Sequence, residues 1–141
     1  MTPLEALQAT LAGEHAAVYV YGVLGGRVSA SAQPDLWGRV RTAYSVHRGR
    51  RDQLVAMVRA AGEDPVAAEV SYELPNAARS APQLTRAARE LELRSCAVYA
   101  DMVGSTAGAN RQWAIDAVTD AGVRALGFGA EPEAFPGIAE L

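Results

Sequence analysis

Glutamate and histidine at helical spacing can hold a pair of metal ions, and this chain carries a fragment of that pattern. Glu14-His15 lies in the first helical stretch, and Tyr44-Ser45-Val46-His47 lies halfway along the second. In di-iron carboxylate bundles, two helices each give a Glu and the other two each give a Glu-x-x-His, all pointing inward. Here the motif's Glu is Tyr44, and the fourth stretch has neither Glu nor His. A redox or iron-handling centre built from Glu14, His47 and Glu92 would need a further carboxylate such as Asp116 or Asp120, with iron or manganese as the cofactor.

The same residues admit a metal-free reading. Glu14 shares a stripe with Leu11 and Val18, His47 and Arg51 sit four apart on the second helix, and Glu92 falls beside Ala88, Ser95 and Tyr99. Burying such groups unpaired costs several kcal/mol each, comparable with the net stability of a whole domain, so they must compensate one another. The sequence predicts a pseudo-metal site in which the guanidinium fork of Arg51 bridges Glu14 and Glu92. Tyr44 and Tyr99 anchor the carboxylates, and His47 is a hydrogen-bonded core residue. Glu14 and His15 point about 100° apart on a helix, and the stripe places Glu14 at the centre. On this reading no metal is expected and no residue is catalytic.

The elements that must position these groups are helical. The 141 residues are 50% hydrophobic and 21% charged, which suits one globular domain. Aromatic residues are few and alanine abundant, favouring packed helices over a sheet. No basic, apolar leader opens the chain, and no run approaches the roughly 18 apolar residues of a membrane span, so a cytoplasmic protein is expected. Cys96 is the sole cysteine. It excludes an internal disulfide and reads as a small buried hydrophobe.

Thr2-Pro3-Leu4-Glu5 and Ser80-Ala81-Pro82-Gln83 are capping-box patterns, and Gly25-Gly26, Gly62 and Gly127 are stop signals. They predict helices over about 3–28, 34–61, 81–105 and 110–126 within a domain of residues 1–127, followed by a non-helical tail at 128–141. The segment from Gly62 to Ser80 is long for a structureless loop. Extended, its residues reach up to about 60 Å, enough to cross a bundle of helices about 42 Å long. Tyr72 and Leu74 are its expected anchors.

The second helix holds Arg39, Arg41, Arg48, Arg50, Arg51 and Arg59 against Asp35 and Asp52. Glu63, Asp64, Glu69 and Glu73 of the crossover and Glu131, Glu133 and Glu140 of the tail are available to lie against it. A basic helix suggests nucleic acid, but a net charge of −3 opposes that reading and favours a solvated, partly neutralised face. H-E-x-x-H, G-x-S-x-G and a phosphate loop after a strand are all absent.

The run from Ala6 to Val23 containing Gly13-Glu14-His15, the later His47-Arg48-x-Arg50-Arg51-Asp52, and Tyr72-x-Leu74-Pro75 together resemble the actinobacterial ferritin-like domain family DUF4439. All thirteen basic residues being arginine fits a GC-rich source of that kind. The resemblance implies an all-α, ferritin-like four-helix bundle with a long crossover between helices 2 and 3, and it implies no activity. It also implies a homodimer paired through helices one and two, where Ala16, Ala17, Val20 and Gly22 would permit close approach. The expected role is a binding or interaction module with a degenerate metal site. A metal-dependent redox protein is the alternative.

Overall fold

Thr2 fixes where the first helix begins. Its hydroxyl accepts the Glu5 amide at 3.2 Å, the Glu5 carboxylate accepts the Thr2 amide at 2.7 Å, and Pro3 occupies the first turn. From there the computed structural model, which describes residues 1–138, runs through α1 (Pro3–Arg27), α2 (Pro34–Ala60), α3 (Ala81–Ser105) and α4 (Gly108–Gly127). The second capping pattern forms differently from the first. Ser80 Oγ accepts the Gln83 amide at 3.3 Å, but the Gln83 side chain accepts the Arg79 amide at 2.9 Å, one residue before the cap.

Helix α1 packs against α2 and α3, and α3 packs against α4. Every buried residue on α4 is alanine (Ala114, Ala117, Ala121 and Ala125), so α3 supplies the larger buried side chains of the seam, and its Tyr99 meets the partly buried Trp113 of α4 edge to face with centroids 6.0 Å apart. The α2–α4 side is spanned by long polar side chains instead. Arg39 donates to the Gly127 carbonyl at 2.6 Å, and Trp113 Nε1 donates to Gln53 Oε1 at 2.7 Å. Apolar clusters fill both ends: Tyr21, Leu24, Val40, Leu84 and Phe128 at one, Leu7, Leu11, Leu54, Val58 and Met102 at the other. A polar layer lies between them.

The crossover docks along α1. Gln8 donates to the Asp64 carbonyl at 2.7 Å and accepts the Val66 amide at 2.8 Å, while His15 Nε2 lies 3.0 Å from the Val66 carbonyl oxygen. Further on, Tyr72 packs on Tyr19 with ring centroids 5.6 Å apart, Leu74 packs against the core, and Arg27 donates to the Ala77 carbonyl at 3.0 Å. Burial of such anchors offsets the entropy of ordering a long loop. Limited chymotrypsin digestion should cut after Tyr72 at least about tenfold more slowly in native protein than in urea. Equal rates would mean that the segment is undocked.

Two expectations change here. Ala17 and Val20, assigned to an outer dimer surface, are 1% and 3% exposed and belong to the core, because they lie beside Glu14 and Tyr21 on the inward arc of α1. The acidic residues of the crossover and tail do not neutralise α2. Among the described residues no ion pair joins them to its arginines, since the crossover follows α1 and the tail follows α3 and α4. Glu140 lies outside the described residues. The tail approaches α3 closely enough that a Cβ on Gly137, whose φ is +83°, would collide with the Cys96 carbonyl.

Candidate functional site

Between the two apolar clusters, α1, α2 and α3 bring Glu14, His47 and Glu92 together, all 2% exposed or less. His47 stands between the acids. Its Nδ1 lies 2.7 Å from Glu14 Oε2 and its Nε2 lies 3.1 Å from Glu92 Oε1. A ring with a carboxylate on each nitrogen can donate to both only when protonated. Burial disfavours the charged ring, but the hydrogen bonds and charges of Glu14 and Glu92 outweigh it and push the His47 pKa from 6.5 up to about 9. His47 is therefore an imidazolium at neutral pH.

Each carboxylate has a tyrosine behind it. Tyr99 donates to Glu14 Oε1, and Tyr21 donates to Glu92 Oε1 at 2.5 Å while its ring stacks on His47 with centroids 5.4 Å apart. Burial first, and then the neighbouring carboxylate, raises both phenol pKa values well above 10, so the two hydroxyls remain donors. An outer arc completes the layer. Arg50 donates to Tyr99 Oη at 3.3 Å and to Asp120 Oδ2 at 2.5 Å, and Arg124 donates to the same Asp120 oxygen at 2.8 Å. Arg124 Nε also lies 3.5 Å from Glu92 Oε1. Three acids (Glu14, Glu92 and Asp120) face three cations (His47, Arg50 and Arg124), so the layer is neutral.

The predicted bridge is thus made by a different residue. Arg51 does not enter the layer; its guanidinium reaches Asp52 at 2.8 Å, and the side chain is 28% exposed. Positions 50 and 51 both follow His47 at helical spacing, and the choice is made by Asp120 and Tyr99, which lie on the side of Arg50. Tyr44 also points elsewhere, lying in a groove between α1 and α2 with Arg48 above its ring. One helical turn before His47 it is rotated by about 60°, enough to leave the polar layer while still packing against the apolar core. Asp116 bonds only Gln112, at 2.9 Å on the surface. Three members of the layer escaped the sequence reading: Tyr21, Arg50 and Arg124. Tyr21 repeats the Glu14 stripe two turns later, and Arg124 follows Asp120 at the i,i+4 spacing of a helical ion pair.

Arg51→Ala should cost under about 1 kcal/mol, as exposed pairs do. Arg50→Met should cost about 2–4 kcal/mol by stranding Tyr99 and half of the Asp120 pairing. Urea denaturation of the two variants checks the order. A larger loss for Arg51 would contradict this arrangement.

Residues 6–140 match a family described as a domain of unknown function, DUF4439. Among solved structures, a conserved hypothetical protein from Mycobacterium tuberculosis is 30% identical, with a TM-score of 0.82 over 89% of this chain and 93% of that one. A structure described as ferritin-like, diiron-carboxylate proteins from Bacillus anthracis is 19% identical, with a TM-score of 0.75 over 89% of this chain and 91% of that one. This second likeness shows the fold, a ferritin-like bundle. None of the curated proteins compared with the chain matches it.

Proposed function

Because the chain belongs to the DUF4439 family, whose fold is that of the diiron-carboxylate proteins, we propose that it is a ferritin-like binding module in which an imidazolium replaces the metal pair. The observation that carries this reading is His47, held by a carboxylate on each ring nitrogen. A metal ligand needs a bare nitrogen, and the protonated ring has none. The donor set does not suit a di-metal centre in other respects. Helix α4 contributes Asp120 and Arg124 where a Glu-x-x-His would stand, and Arg50 brings a further positive charge to the layer. Among the described residues no three of His, Cys, Asp and Glu converge as a metal site. Two carboxylates held by one imidazolium and two phenols, with Arg50, Arg124 and Asp120 completing the charge balance, form a rigid, neutral partition, which fixes the register of α1, α2 and α3.

A bundle of this kind acts through its surface rather than its centre. Elemental analysis after loading with iron(II) or manganese(II) and gel filtration tests the proposal. Less than about 0.1 metal ion per chain is expected; stoichiometric metal would favour the redox alternative through Glu14, His47 and Glu92. The homodimer expected through helices one and two retains Ala16 and Gly22 outside the core. Sedimentation equilibrium at tens of micromolar decides it, since pure monomer would remove the pairing. No described helix is long and apolar enough to cross a membrane.

A further inference from the structure

Along the outer edge of α2, Trp37, Arg41, Tyr44 and Arg48 succeed one another at steps of four, three and four, forming one stripe. The Arg41 guanidinium carbon lies 4.6 Å from the Trp37 ring centroid, and that of Arg48 lies 5.5 Å from the Tyr44 centroid. Among the described residues neither arginine has a carboxylate partner. Opposite them α1 presents Gly22 and Gly25. A Cβ on Gly22 would meet the Tyr44 ring at 3.7 Å and one on Gly25 would meet Val40 at 3.7 Å, so the absence of side chains there keeps the cleft open. The groove so formed has a volume of about 400 Å³. That is within the range of small-molecule sites.

We propose that this groove binds a mononucleotide-like ligand, an aromatic ring joined to a phosphate. The guanidinium planes of Arg41 and Arg48, lying over Trp37 and Tyr44, would turn their outer faces to the ligand's ring and their donor edges to its phosphate. Two uncompensated cations held over two rings supply the complement of such a molecule. The chain's net charge of −3 and the acidic residues of the crossover oppose a long polyanion. The inference names the ligand of the binding role proposed above and rests on that role being binding.

The test follows the two indole N–H resonances of the nitrogen-15-labelled full chain during titration with adenosine monophosphate. Trp37 borders the groove, whereas Trp113 is tied to Gln53 between α2 and α4 and serves as the control. The expected result is a saturable shift of the Trp37 resonance alone, with submillimolar affinity. Adenosine and inorganic phosphate should each bind at least about tenfold more weakly. Arg41→Ala/Arg48→Ala should weaken binding about tenfold or more while leaving the Trp113 resonance in place, since both side chains are exposed. No shift at several millimolar nucleotide, or a shift indifferent to loss of both arginines, would overturn the proposal. Binding of oligothymidylate without binding of the mononucleotide would also overturn it, in favour of single-stranded nucleic acid. Metal uptake by the same sample would sink the metal-free reading and leave a positive titration standing; a silent titration without metal uptake would sink the groove alone.

Discussion

His47→Leu is expected to destabilise the protein by about 3–5 kcal/mol, the largest effect of any single substitution in the polar layer. Leucine fills much of the space but leaves Glu14 and Glu92, both fully or almost fully buried, facing each other with no positive charge between them. One or both must then take up a proton or open the bundle to water, and either outcome costs free energy. Denaturant unfolding measures the loss. The origin of the effect is checked by adding Glu14→Gln and Glu92→Gln to the same chain: neutralising the stranded acids should recover part of the stability, so that the changes are far from additive. A loss below about 1 kcal/mol for His47→Leu alone would place the ring outside any charge network.

Stability should also fall as the solution becomes alkaline. The His47 pKa is raised from 6.5 to about 9 on folding, because the pairing with Glu14 and Glu92 outweighs burial. A group whose pKa rises on folding adds stability that is fully present below its unfolded value, near pH 6.5, and is lost as pH climbs through its folded value, near 9. The full contribution is on the order of 3 kcal/mol. Unfolding free energies taken between pH 6.5 and 9.5 should decline by most of that amount, and His47→Leu should flatten the decline. Other groups enter later. Burial, followed by the charge of Glu92, raises Cys96 from 9 to about 11, so its contribution has the same sign but falls largely above pH 9. Tyr21 and Tyr99 titrate higher still. Stability that is constant or rising over this window would contradict the imidazolium.

The bundle was legible because its signals are local. Thr2, Pro3 and Glu5 start α1 through contacts within one turn, and Gly62 and Pro65 stop α2 whatever packs against it. The length of the segment after Gly62 required a crossover, and its two apolar side chains marked where it docks. The polar layer was legible only in part. Glu14, His47, Glu92 and Tyr99 lie on inward stripes of their own helices, and that periodicity is written in the chain. Pairing between helices is not. Whether Arg50 or Arg51 turns inward depends on Asp120, seventy residues away from Arg50 in the chain. Whether an arginine or the histidine bridges the acids depends on how far α1 and α3 stand from α2. Spacing read along one helix constrains angle; it does not determine distance across the bundle.

The most direct measurement is the protonation state of the His47 ring itself, read from nitrogen-15 shifts of Nδ1 and Nε2 during a pH titration. Only two histidines occur, and the His47→Leu variant assigns their signals. Both nitrogens of His47 should carry hydrogen at pH 7.5, with a midpoint near 9, while His15 reports separately from its place beside the crossover. A neutral His47 with one bare nitrogen at pH 7.5 would contradict the account and leave the ring free to act as a metal ligand.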